Sequence, residues 1–140
     1  MFGFNFKKKE KKKFRIFIVE DNKTFLQTLK LKLKVLYDDS ILIRGFTESE
    51  TFLEEIKKGV EIVIMDFYLD EQSPVEGVEL LQSIKKTNPE TFVLVLTGEE
   101  DLNIAKECFE LGADSYMVKS LESMDKIVKE IHYKIELTGF

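Results

Sequence analysis

The chain has 140 residues, 44% of them hydrophobic and 11% aromatic, which is enough apolar material for one buried core and leaves no room for a second domain. A lone cysteine, Cys108, excludes an internal disulfide, and no apolar run approaches the roughly 18 residues that mark a membrane span. Residues 1 to 15 carry six lysines and Arg15 against Glu10, a net of +6, so the overall −5 leaves −11 for the rest, a poor surface for nucleic acid.

Residues 1–13, MFGFNFKKKEKKK, are expected to be a basic tail. Its apolar residues precede the lysines and no h-region follows, which does not fit a secretory signal, and Phe2 does not fit a myristoylation signal. The tail reads as solvated chain. The competing reading is contact of Phe2, Phe4, Phe6 and the lysines with an anionic membrane surface, where each basic residue contributes about 1 kcal/mol.

From Phe14 onward strand and helix patterns alternate five times, so residues 14–140 are expected to form one α/β domain, a parallel sheet with helices on both faces. The first strand, near 14–19, stops at Glu20 and Asp21, and Phe25, Leu29, Leu33 and Leu36 then recur at helical spacing. A second strand near 41–46 leads to Thr47 and Glu50, which fit a capping box for the second helix. The third strand, EIVIMD at 61–66, is apolar on both faces, as a buried parallel strand should be, and ends at Asp66. Leu80, Leu81 and Ile84 form the next helical stripe, closed by Asn88-Pro89. The fourth strand, near 91–96, stops at Thr97. Cys108 falls in the following helical pattern with Ala105 and Phe109, where it is expected to be a core thiol, and Leu111-Gly112 ends that helix. The fifth strand, near 115–119, ends at Lys119. Ile127, Val128, Ile131 and Ile135 mark the last helix, on which His132 reads as a partly exposed surface residue.

The strand ends carry the chemistry. In an open parallel sheet the carboxyl ends of the strands share one edge, where ligands bind beside the topological switch point. Glu20, Asp21 and Asp66 would meet there. Two carboxylates about 4 Å apart repel by roughly 4 kcal/mol at an effective dielectric near 20, so three of them call for a cation. Oxygen ligands without a His or Cys cluster favour Mg²⁺ over zinc. Asp66 then reads as a nucleophile able to accept a phosphoryl group, with Thr97 and Lys119 set to stabilise charge on the transferred oxygens.

With these residues in this order, the chain over about 14 to 137 resembles the receiver domains of two-component response regulators. The resemblance implies a flavodoxin-like doubly wound fold with strand order 2-1-3-4-5. It implies that Asp66 is the phosphoacceptor, that Asp21 binds Mg²⁺ directly, that Glu20 is the adjacent acidic member, and that Tyr68 offers its backbone carbonyl to the ion. It makes Thr97 the hydroxyl that follows the phosphoryl group, Lys119 its ion-pair partner and Tyr116 the aromatic switch. Tyr68 and Glu99 fall at the positions that tune acyl-phosphate lifetime. The implied function is a stand-alone, cytoplasmic phosphorelay component, a phosphoprotein rather than an enzyme in its own right. It would take the group from a sensor histidine kinase or phosphotransfer protein and signal by conformational change to noncovalent partners, with no direct nucleic-acid contact. The fourth helix, fifth strand and fifth helix are the docking face that the resemblance implies.

Three departures stand out. Ser120 follows Lys119 where the family commonly has proline with a cis bond; without proline a cis bond costs about 2.5–4 kcal/mol, which weakens that expectation here. Gly98 replaces a usual alanine, which should loosen its loop slightly. Gly77 lies several positions further beyond Asp66 than is usual, with extra residues within Asp70 to Pro74 that bear on kinase fit or ion access. The alternative from a different class is a pseudo-receiver, a protein-binding module that works without phosphorylation. A phosphohydrolase fits less well because Tyr68 stands where such enzymes place a second Asp. A flavin protein fits less well because Glu20 and Asp21 put anionic charge where its phosphate loop would lie.

Overall fold

Every residue of β3 (Ile62–Asp66) is buried, as expected of a central parallel strand. The computed structural model describes residues 13–69 and 74–140; the expectations for the tail through residue 12 and for the loop at 70–73 lie outside the described residues. In chain order the remaining elements are β1 (Phe14–Val19), α1 (Lys23–Lys34), β2 (Ile41–Phe46) and α2 (Ser49–Ile56) before β3. After it come α3 (Pro74–Thr87), β4 (Phe92–Thr97), α4 (Leu102–Glu110), β5 (Ser115–Val118) and α5 (Met124–Leu137). The strands form one parallel sheet ordered β2-β1-β3-β4-β5. That is the doubly wound order implied by the resemblance.

Alternation along the strands divides the core into two layers. Even-numbered Ile16, Ile18, Ile62, Ile64, Leu94 and Leu96 pack with Phe25, Leu29 and Leu33 of α1 and with Ile127, Ile131 and Ile135 of α5. Odd-numbered Phe17, Val19, Val63, Met65, Val93 and Val95 pack with Phe52 of α2, Leu80, Leu81 and Ile84 of α3, and Cys108 of α4. Each such side chain contributes about 1.5–3 kcal/mol when fully buried. Burial pushes the Cys108 thiol up to about 11, so it is a core thiol and a poor nucleophile at neutral pH. His132 lies on the surface of α5, its ring nitrogens bonded to Tyr37 and Glu136.

Several local expectations need correction. The Thr47–Glu50 capping box does not form: Glu48 occupies the N-cap without a side-chain bond, and α2 starts at Ser49, whose hydroxyl donates to Glu76 on α3. Leu36 lies beyond the end of α1 and is exposed, while the unanticipated Leu26 is buried in its place. Phe109 faces solvent on α4, one position from the buried Cys108. The ends of α3 and α4 fall where Asn88-Pro89 and Leu111-Gly112 mark them; Gly112 has φ 103°, a conformation that glycine adopts without steric cost.

Helix α3 is seated directly on the chain leaving β3. A Cβ added at Gly77 would collide with the Phe67 carbonyl oxygen and stand 2.8 Å from a carbon of its ring. Gly77→Ala is therefore expected to lower stability by at least about 1–3 kcal/mol in urea denaturation, the usual cost of overpacking. An unchanged midpoint would mean that α3 does not sit against Phe67.

Candidate functional site

Strand register and pleat place the site residues. Val19 pairs with Met65, so Glu20 and Asp66, the next residues along, lie side by side. Asp66 pairs with Leu96 and Thr97 with Val118, which brings Thr97 and then Lys119 to the same edge. Glu20 and Asp66 continue the even-numbered, α1/α5-facing series of their strands, and Lys119 follows Met117 on that face. Thr97 and Tyr116 belong to the opposite side, with Val95 and the α2–α4 layer. The three charged groups are thus positioned to meet one another, while the two hydroxyls are positioned to meet on the other side.

The Lys119 Nζ lies 2.6 Å from Glu20 Oε1 and 3.0 Å from Asp66 Oδ2, above the ring of Phe25. Both carboxylates are almost wholly buried. Asp66 Oδ1 accepts from the Tyr68 amide at 3.0 Å, so both oxygens of this carboxylate are held. Glu20 Oε1 also accepts from the Asn22 amide at 3.1 Å, but Oε2 is buried without a hydrogen-bond partner among the described residues. Leaving such an atom unsatisfied is costly, so a cation bound to it would be stabilising.

Asp21 is exposed, at the mouth of the site. Glu20, Asp21 and Asp66 each offer a carboxylate oxygen, and the three oxygens lie within 4.8 Å of one another. This all-oxygen set, with one oxygen orphaned, fits a hard divalent cation. Burial, reinforced by the neighbouring Asp66 charge and only partly opposed by Lys119, pushes the Glu20 carboxyl up to about 7. Burial and Asp66 also raise Asp21 above its ordinary value. Burial works against the Lys119 ammonium, but its bonds to Glu20 and Asp66 outweigh that effect and hold its pKa above the usual lysine range.

The site opens into a cleft of about 660 Å³ lined by Asp21, Asn22, Asp66, Tyr68, Gly98, Glu99 and Lys119. The structure therefore brings Glu20, Asp21, Asp66 and Lys119 together and places Tyr68 and Glu99 on the wall. Thr97 is at the same edge, yet its buried hydroxyl is turned into its own loop, donating to the Glu99 carbonyl at 3.1 Å. The Tyr116 hydroxyl donates to that same carbonyl at 3.2 Å. An added Cβ at Gly98 meets nothing within 4 Å, so packing there does not require glycine.

Asn22 was missed from the sequence. It caps α1 through Oδ1 with the Phe25 amide while its own amide holds Glu20. An Asn directly before a helical apolar stripe is the signal that would have found it. The Lys119–Ser120 peptide bond is trans, as are all peptide bonds among the described residues.

The family model for the response regulator receiver domain matches residues 16–132. The cell cycle transcriptional regulator CtrA of Caulobacter vibrioides is 26% identical over 126 residues, covering 84% of this chain and 48% of CtrA. The transcriptional regulatory protein YdfI of Bacillus subtilis is 29% identical over 111 residues, covering 78% of this chain and 49% of YdfI. The chain spans about half the length of these two curated relatives. Among solved structures, response regulator DrrB of Thermotoga maritima, an OmpR/PhoB homolog, is 28% identical with a TM-score of 0.76, covering 91% of this chain and 54% of DrrB. A BeF3-activated DrrB receiver domain gives 28% and 0.75, covering 89% of this chain and 99% of that one. No helix among the described residues is long and apolar enough to cross a membrane. With its sheet order, its acidic edge and the match over most of its length, this chain belongs to the response regulator receiver domain family.

Proposed function

We propose that this receiver domain is a phosphorylation-driven signalling switch whose phosphoacceptor is Asp66. The observation that carries this proposal is the contact of one ammonium, on Lys119, with two buried carboxylates, one of which belongs to Glu20 and retains an unsatisfied oxygen. Asp66 attacks the phosphorus of a phosphohistidine on a sensor kinase or phosphotransfer protein. An O–P bond forms as the P–N bond breaks, and the imidazole leaves with the electron pair and gains a proton. Glu20, Asp21 and Asp66, with the Tyr68 carbonyl, would hold Mg²⁺, which when bound supplies positive charge opposite the transferring oxygens.

Lys119 supplies the second positive charge. Its ammonium already bonds to Asp66 Oδ2 and stays protonated, so it can follow the developing charge onto the phosphoryl oxygens. Thr97 would leave the Glu99 carbonyl to donate to the bound group, releasing the acceptor that it shares with Tyr116. That shared carbonyl supports a coupled movement of the two hydroxyls as the switch. Tyr68 and Glu99, on the cleft wall, are placed to tune access of water to the acyl phosphate and so its lifetime. By this proposal the chain assists its own phosphorylation and dephosphorylation without turning over a separate substrate. It works in the cytoplasm and passes its state to other proteins through surface contacts around α4, β5 and α5, without binding nucleic acid directly.

Intact-protein mass spectrometry after treatment with acetyl phosphate tests this function. One phosphoryl group is expected with Mg²⁺ and little or none with a chelator. No uptake in either condition, together with no Mg²⁺ binding, would point instead to a phosphorylation-independent binding module.

A further inference from the structure

Lys119 sits at the end of β5, yet its ammonium reaches Asp66 at the end of β3 and Glu20 beyond β1. Three strand spacings separate β5 from β1, about 14 Å at about 4.8 Å each. That is more than a lysine side chain spans. The Glu20 and Asp66 side chains must therefore reach toward it, and whatever fixes the Lys119 backbone fixes how far the ammonium has to extend.

On its amino side Lys119 is held by its own amide, which donates to the Thr97 carbonyl at 2.6 Å. On its carboxyl side the next four residues close on themselves. The Ser120 amide donates to Ser123 Oγ at 2.9 Å, and the Ser123 amide donates to Ser120 Oγ at 2.9 Å. The Ser123 hydroxyl in turn donates to the Ser120 carbonyl at 2.9 Å. This is the reciprocal pattern of a capping box, with serine in the place where Glu or Gln usually reaches back.

Two observations argue that the box serves the lysine rather than only starting a helix. Ser123 is the N-cap of α5 but makes no side-chain bond to the amides of α5; its backbone is helical, φ −80° and ψ −8°, and its hydroxyl points backwards. The forward cap is made by Ser120 Oγ to the Ser123 amide, so the Ser123 hydroxyl is turned backwards to the Ser120 amide and carbonyl, directly after Lys119. In addition, Leu121 is 75% exposed and Glu122 lies in solvent, so apolar packing within the turn does not hold it. Hydrogen bonds define its shape, and they begin at the residue directly after Lys119.

We propose that Ser120 and Ser123 are positioning residues for Lys119, locking the β5–α5 turn so that the ammonium stays between Glu20 and Asp66; this rests on the phosphoacceptor function proposed above. Ser123→Ala removes two of the three bonds and leaves α5 intact. Ser123→Gln restores an acceptor long enough to reach the Ser120 amide.

The test compares rates of phosphoryl uptake from acetyl phosphate at saturating Mg²⁺, at a temperature where all variants are fully folded by circular dichroism. Ser123→Ala is expected to be about tenfold slower, within the roughly hundredfold that a 1 Å misplacement can cost, with the Mg²⁺ midpoint unchanged. Ser123→Gln should recover most of the loss. Hydrogen exchange supplies a readout independent of phosphorylation: the Lys119 and Ser120 amides should exchange faster in Ser123→Ala, while those of β3 keep their protection. A parental rate in Ser123→Ala, a loss that Ser123→Gln does not recover, or unchanged exchange at Lys119 and Ser120 would overturn the positioning role. Absence of uptake by the parent chain would instead sink the phosphoacceptor assignment, and exchange alone would then decide the role of the box.

Discussion

Asp66→Ala is expected to take up no phosphoryl group from acetyl phosphate under conditions in which the parent chain takes up one. The remaining carboxylates do not replace it. Glu20 is committed to Lys119 and the Asn22 amide through one oxygen and is buried, and Asp21 stands at the mouth of the cleft without the Lys119 contact. The substitution should not unfold the protein. It removes one of three crowded carboxylates while Lys119 keeps Glu20 as its partner, and relief of the repulsion offsets part of the lost ion pair. The expected thermal midpoint without Mg²⁺ therefore lies close to the parent's. Uptake at the parental level by a folded Asp66→Ala variant would remove the basis for the proposed chemistry.

The second large effect is a fall in the stability of the metal-free protein as pH rises. Glu20 titrates near 7 when folded, against an ordinary value of 4.5. Below about pH 4.5 it is protonated in both states and contributes nothing. Between 4.5 and 7 the folded form holds a proton that the unfolded chain has released, so stability declines with increasing pH. Above 7 the full penalty is present, of order 3 kcal/mol at most. Asp21, also raised, acts in the same direction at lower pH. Lys119 acts in the same direction but only in alkali, because its raised pKa contributes stability that is lost as pH rises through its folded value.

Urea denaturation in a chelator at pH 5 and pH 8 reads this effect, and Glu20→Gln isolates it from other titrations. Parent and variant should differ little near pH 5, with the variant the more stable at pH 8. Adding Mg²⁺ at pH 8 should restore the parent, by about 2.7 kcal/mol at a hundredfold excess over its dissociation constant. Parent and variant responding alike across the range would mean that the Glu20 carboxyl is not strained by its surroundings.

Much of this was legible in the sequence because buried parallel strands write themselves as continuous apolar runs. Ile62 to Met65 and Phe92 to Leu96 could face only two apolar layers, and the polar residue after each run marked the binding edge. What escaped depended on contacts between distant segments or on side-chain direction within a loop. Thr47 and Glu50 have capping-box spacing, yet Ser49 is drawn to Glu76 on α3 and the helix starts one residue later than that box would place it. Leu36 continues the period of Phe25, Leu29 and Leu33, but α1 has already ended at Lys34. Thr97 was correctly placed at the edge; the orientation of its hydroxyl toward Glu99 depends on the loop that follows. Ser120 and Ser123 have capping-box spacing, but serine stands where Glu or Gln flags such a box, so the spacing alone carries no signal.

The most direct test of the central claim is to locate the modification. After phosphorylation, borohydride reduces an aspartyl phosphate to the alcohol with loss of phosphate, leaving a stable mark that peptide mass spectrometry can assign to one residue. The mark is expected at Asp66 alone, and only when Mg²⁺ was present. A mark at Asp21, Glu20 or any other side chain, with Asp66 unmodified, would contradict the account.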